Sequence, residues 1–138
     1  LDAAGYKALI GAKYTLTILA SMIGLAIVVL SVVPLSLPPL NTNALDTDKI
    51  AHFLAYFIFS TCLGLALSFD WRLKKIKLIV FVGTFCFGTI LELIQGYHLL
   101  HRTFDLFDLL ANLVGICTFV FSGKTIEKIV VKSGIFIN

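Results

Sequence analysis

Ten polar side chains stand out from this otherwise apolar chain because their spacing lets them act together: Asp48, Lys49, His52, Tyr56, Glu92, Gln95, Arg102, Asp105, Asp108 and Asn112. Asp48, His52 and Tyr56 follow at i, i+4 and i+8, Glu92 and Gln95 at i and i+3, and Asp105, Asp108 and Asn112 at i, i+3 and i+7. On helices, each set forms one stripe along one face. Such a set has two kinds of chemistry open to it. It can hold the polar head of a ligand by hydrogen bonds and charge. Alternatively, His52 or Glu92 serves as a general base while Arg102 and Lys49 stabilise developing negative charge. No nucleophile accompanies them, since Ser60 and Thr61 lie deeper in the same segment and Cys62, Cys86 and Cys117 lack suitable partners.

The elements that must position these groups are membrane-spanning helices. The chain has 138 residues, of which 59% are hydrophobic, and its mean hydropathy of +0.99 exceeds that of an ordinary soluble domain. A span needs about 20 apolar residues, because the hydrocarbon is about 30 Å thick and a helix rises about 1.5 Å per residue. Four such windows fall at about 14–33, 50–69, 76–97 and 104–122. They show no barrel-type alternation, so helices satisfy the backbone in lipid where strands would not. The expected fold is an all-α membrane protein, a four-transmembrane-helix bundle forming a single domain over 1–138. The first apolar run is too long for a secretory signal core and no small-x-small cleavage pattern follows it, so it is expected to persist as a helix.

The basic residues orient the bundle. In a four-span arrangement Lys7, Lys13, Arg72, Lys74, Lys75, Lys77, Lys124, Lys128 and Lys132 fall on one side, and only Lys49 and Arg102 on the other. Basic residues are retained in the cytoplasm, which predicts both termini there. The net charge of +3 then follows from topology and calls for no nucleic-acid partner. Pro34, Pro38 and Pro39 end span one in an extended external connection. Trp71 is placed to anchor the second connection at the interface, and the short third one makes spans three and four antiparallel neighbours. The tail from Thr125 is too short for another span, and its lysines suit an anionic inner leaflet.

All three polar stripes lie at the external ends of their helices. Taking Tyr97 as the boundary, Glu92 lies about 7 to 8 Å inside, and Tyr56 and Asn112 about 9 to 12 Å. An Asp facing lipid at mid-depth costs about 3 kcal/mol, so the stripes should meet inside the bundle. The inner halves of the same spans carry no charge, which predicts an outward-opening polar pocket above an apolar floor and disfavours a proton-coupled transporter. Within the pocket, Asp48 and Asp105 suit helix caps as well as ligand contacts. Glu92 must pair with a cation such as Arg102 or Lys49, or hold a proton. His52 has a structural partner in Glu92 or Asp108, and Gln95 either braces Glu92 or shares the ligand.

At these residues the chain resembles the VanZ-like family of small bacterial membrane proteins. The matching elements are Asp48-Lys49 with His52 and Tyr56, Glu92-x-x-Gln95, then Arg102 followed by Asp105, Asp108, Asn112 and Gly115, so the likeness covers roughly Asp48 to Gly115. The ordered set is more specific than any one element. The resemblance implies a multi-pass protein of the bacterial cytoplasmic membrane acting at its outer face, with a link to low-level teicoplanin-type glycopeptide resistance in the member that names the family. It attaches no firm reaction.

The leading expectation is therefore a non-enzymatic protein that recognises a lipid-linked or cell-envelope molecule through this pocket, with a lipid-headgroup enzyme as the alternative. Membrane lipids or such a molecule are the expected partners, and homo-oligomerisation stays open. No cofactor is implied, and no metal is expected because no local motif such as H-E-x-x-H occurs. Cys62, Cys86 and Cys117 read as small packing residues buried in mid-span, without a disulfide framework. Gly11, Gly24, Gly64, Gly83, Gly88 and Gly115 are expected to permit close helix approach.

Overall fold

A computed structural model describes residues 3–32, 44–68, 73–97, 104–122 and 125. The chain is all-helical over these residues: α1 (Ala3–Val32), α2 (Ala44–Leu67), α3 (Leu73–Gly96) and α4 (Leu106–Phe121). The first three are long and apolar enough to cross a membrane, while α4 is apolar but has only 16 residues. At about 1.5 Å per residue α4 spans about 24 Å, less than the hydrocarbon thickness of about 30 Å. The proline-containing connection, Trp71, Arg72, Arg102 and the lysines after Lys77 lie outside the described residues.

Hydroxyl-bearing residues sit inside these helices at little cost because they bond back to their own backbone. Thr15, Thr17, Ser21, Thr61, Thr89 and Thr118 each donate to the carbonyl four residues earlier, at 2.7–3.0 Å. Large apolar side chains face outward on every helix, among them Met22, Leu25, Ile58, Leu78, Leu93 and Val114. On a protein in water such a surface would be a liability. On this one it is the lipid-facing surface.

The helices run up and down in chain order. Ile76 and Val80 near the start of α3 pack with Phe119 near the end of α4, together with Leu65 and Leu67 of α2. Ile27 of α1, Tyr56 of α2, Leu91 of α3 and Ile116 of α4 form the core of the other half. Helix α2 touches all three others and packs most extensively on α4; α3 and α4 are also neighbours. Lys7, Lys13, Lys74, Lys75 and Lys77 therefore gather at one end, with Lys49 at the other.

Gly115 sets the α2–α4 distance. A side chain there would run into the backbone carbonyl of Phe53 and lie 3.0 Å from the Phe57 nitrogen. Only a glycine lets the two backbones meet so closely. One turn toward the N-terminus of α4, Asn112 is thereby brought against His52. Gly88 does the same for a side chain: the Tyr56 ring lies over it, 3.0 Å from where a Cβ would stand. Gly11 and Gly83, by contrast, have nothing within 4 Å of a built Cβ and mediate no approach.

Several boundaries differ from expectation. Helix α1 begins eleven residues before the first apolar window, carrying Lys7 and Lys13 on helical turns beyond the hydrocarbon. Helix α2 begins at Ala44, before Asp48, so Asp48 lies within the helix and is not its N-cap. The polar opening of α2 offers no hydrophobic pattern to a sequence reading, yet nothing in it breaks a helix. Of the cysteines only Cys62 is buried; Cys86 is exposed and Cys117 intermediate.

Candidate functional site

The N-terminal part of α2, the C-terminal part of α3 and the N-terminal part of α4 converge at the end away from the clustered lysines. Asp105 caps α4: its backbone is extended, and its Oδ1 accepts a 2.7 Å hydrogen bond from the Phe107 N–H. The cap expected of Asp105 is therefore formed, and it has a second use. Lys49 Nζ donates to Asp105 Oδ2 at 2.9 Å and to Asp108 Oδ1 at 2.6 Å. One ammonium thus ties α2 to two carboxylates in the first turn of α4, where the helix dipole also favours negative charge. The Lys49 ammonium and the Phe107 N–H thus take one Asp105 carboxylate oxygen each.

Beneath this pair lies His52. Its Nδ1 is 3.0 Å from Asn112 Oδ1. A carboxamide oxygen only accepts, so Nδ1 is the donor and carries hydrogen. Around the ring stand three carboxylates: Glu92 Oε1 is 3.9 Å from Nδ1, while Asp48 Oδ1 and Asp108 Oδ2 are 4.0 and 3.9 Å from Nε2. Glu92 is only 2% exposed. Among the described residues its Oε2 has no hydrogen-bond partner, and neither does Nδ2 of the equally buried Asn112. Buried polar atoms are almost always satisfied, so two unsatisfied ones on neighbouring residues are informative.

The sequence-predicted set is thus largely brought together. Asp48, Lys49, His52, Glu92, Asp105, Asp108 and Asn112 form one cluster, but the pairings differ from those expected. Lys49 takes Asp105 and Asp108 and does not pair with Glu92. His52 bonds to Asn112, with Glu92 and Asp108 only within ion-pair range. Gln95 turns away: its Nε2 donates to the Ser31 carbonyl of α1 at 3.0 Å, joining α3 to α1. Tyr56 packs on Gly88 below the cluster. Arg102 lies outside the described residues, so its pairing with Glu92 stays an expectation.

Two contributors escaped the sequence reading. The Ser31 carbonyl is a backbone atom with no sequence signal. The buried pair Ser60 and Thr84, with Ser60 Oγ donating to Thr84 Oγ1 at 3.5 Å and Thr84 Oγ1 to the Val80 carbonyl at 2.5 Å, is uncharged and forms the floor. Its signal was present, since both residues interrupt apolar runs. Below it the interior is apolar, around Val80 and Phe119.

No family model, curated protein or solved structure matches the chain. What the cluster does must follow from its own side chains. Those side chains make a cluster of carboxylates, one ammonium, one imidazole and two hydrogen-bonding atoms that have no partner among the described residues, at one end of a membrane-spanning bundle.

Proposed function

We propose that this chain binds the polar head of a lipid-linked or cell-envelope molecule at the outer face of a bacterial cytoplasmic membrane. The observation that carries the reading is a pair of buried atoms without a partner among the described residues, Glu92 Oε2 and Asn112 Nδ2, within a cluster confined to one end of the bundle. Glu92 Oε2 offers an acceptor and Asn112 Nδ2 a donor. A hydroxyl or amide on a ligand head satisfies both kinds of atom at once. The gathering of every described lysine except Lys49 at the opposite end supports an external position for the site, with both termini inside. The resemblance to the VanZ-like family agrees with this placement and makes glycopeptide susceptibility the physiological readout to try first.

The test is retention of the ligand. The protein is purified in mild detergent from a bacterial membrane, and co-purifying envelope molecules are identified by mass spectrometry. One class should be enriched with the wild-type chain and lost with Glu92→Ala, at unchanged expression and insertion. The Arg102→Ala variant is expected to behave likewise. Equal retention by the wild type and Glu92→Ala sinks the proposal, and a mass-shifted product would move the protein to the enzyme class, with His52, Glu92 and Arg102 as the reacting groups.

A further inference from the structure

We infer that Asp48, His52 and Asp108 form a binding site for a divalent first-row transition ion, with Zn²⁺ the best match. Each offers one ligand atom, and the three atoms lie within 4.8 Å of one another. His52 Nε2 is 4.0 Å from Asp48 Oδ1 and 3.9 Å from Asp108 Oδ2. Ligand bonds of about 2.0 to 2.2 Å in tetrahedral arrangement place donors about 3.4 Å apart. The two edges to His52 therefore need to close by about half an ångström and the Asp48–Asp108 edge by no more than about 1.4 Å, which rotations of the Asp48 side chain, exposed at the surface, can supply.

The groups around the trio suit this role. A ligating histidine ordinarily gives its other ring N–H to a carbonyl or carboxylate, which fixes the tautomer. Here Nδ1 faces Asn112 Oδ1 at 3.0 Å, leaving the Nε2 lone pair toward the two aspartates. Asp108 divides its oxygens in the same sense: Oδ1 accepts from Lys49, and Oδ2 faces His52. Lys49 thus holds the ligand without occupying the atom that would coordinate. Glu92 stands on the Nδ1 side, and its unpartnered Oε2, like Asn112 Nδ2, is available to a molecule bound beside the ion. One imidazole with carboxylates suits Zn²⁺ or Mn²⁺ better than Mg²⁺ or Ca²⁺, which favour all-oxygen cages.

The absence of a local metal motif does not count against the site, because the donors come from two helices 56 or more positions apart in sequence. Only Asp48 and His52 share a helix, at i and i+4. The ion also answers a question of charge. Four carboxylates facing one lysine and one histidine make a poor site for an anionic head. A divalent cation with three protein ligands keeps a coordination position for a phosphate or hydroxyl oxygen. That last step rests on the proposed function; the ion site itself does not.

The experiment separates the two. Protein in dodecyl maltoside is stripped with EDTA and titrated with Zn²⁺ alone, stoichiometry being read by elemental analysis and affinity by calorimetry. Co²⁺ serves as the spectroscopic substitute through its visible absorption. One ion per chain is expected. His52→Ala should abolish binding, and Asp48→Asn should weaken it by about tenfold or more, the loss seen even for outer-shell partners. Asp48 is half exposed and its side chain accepts no hydrogen bond among the described residues, so Asp48→Asn tests the site without endangering the fold. Cys86→Ser, Cys117→Ser and the double variant His98→Ala/His101→Ala should bind as wild type. No stoichiometric ion, or an Asp48→Asn variant with wild-type affinity, overturns the inference. Envelope molecules retained equally with and without EDTA would leave the head-binding proposal standing and remove the ion from it; an ion bound in a protein that retains no such molecule would do the reverse.

Discussion

Replacing Lys49 by methionine keeps the length of the stem and removes the ammonium that joins α2 to α4. The ammonium makes two bonds of unequal burial: Lys49 and Asp108 side chains are 22% and 12% exposed, while Asp105 is 34% exposed. An exposed ion pair contributes about 0 to 1 kcal/mol, and breaking a fully buried one costs about 3 to 5 kcal/mol. The Lys49–Asp108 bond lies between these limits, close to the value of a charged hydrogen bond. Its coupling energy should be about 1.5 to 3 kcal/mol. Asp105 keeps its cap bond to the Phe107 N–H and its contact with water when Lys49 is lost, so its coupling should be the smaller of the two.

The assay is a double-mutant cycle. Lys49→Met is combined in turn with Asp108→Asn and Asp105→Asn, and unfolding is followed by circular dichroism against rising SDS mole fraction in mixed micelles. Distant, independent sites add to within about 0.5 kcal/mol. A Lys49–Asp108 coupling below that tolerance, or an Asp105 coupling exceeding the Asp108 one, would refute the assignment of Lys49 as the α2–α4 clamp.

Other perturbations separate stability from binding. Glu92→Leu should leave the bundle as stable as wild type or more so, because it removes a buried unsatisfied atom, while abolishing ligand retention; a clear loss of stability in the same SDS titration would show that Glu92 is structural. Gly115→Ala should destabilise by about 1 to 3 kcal/mol through overpacking against the α2 backbone and weaken Zn²⁺ binding as well, so wild-type behaviour in both measurements contradicts the close approach. Gln95→Ala should cost about 0.6 to 1 kcal/mol, typical of an interhelical hydrogen bond, without changing Zn²⁺ affinity; a change there would place Gln95 back in the site.

The helices and the face on which each polar residue lies were legible because hydropathy marks a span and a 3.6-residue period marks a stripe. Relative height along each helix was legible too, since rise per residue is constant. What the pattern does not carry is rotation of one helix against another. Glu92, Asp105 and Asp108 lie at similar depth, and sequence alone offers Lys49 any of them; the choice of Asp105 and Asp108 follows from α2 packing most extensively on α4. Gln95 shares a stripe with Glu92, yet one helical position of i+3 is enough to turn it from the cluster toward the Ser31 carbonyl. Cys86 faces outward for the same reason.

The exposure of the cluster is graded. Along Asp48, His52, Asp108 and Glu92 the side chains are 57%, 20%, 12% and 3% exposed. Water reaches the first freely and the last hardly at all, so a head that contacts Glu92 must shed its hydration as it passes His52. That step is costly for a freely soluble molecule and less so for one already tethered in the leaflet, whose position is fixed before binding. The outer surface beside this entry is apolar, with Ile50 and Leu54 exposed on α2 and Phe107 and Leu110 on α4. A tail can lie there while the head descends. On the proposed function, short α4 makes the descent brief, because its capped first turn packs beside α2 at Lys49 and His52, beyond the first turn of that helix. Ser60 and Thr84, with the apolar interior below them, would limit how far such a head descends. With Gly115 fixing α4 against α2, inserting one turn between Asp108 and Asn112 would carry the cap and Lys49's partners out of register with His52. Such an insertion should uncouple Zn²⁺ binding from helix formation, leaving a helical protein by circular dichroism with no stoichiometric ion; retained binding would show that the register of α4 does not position the site.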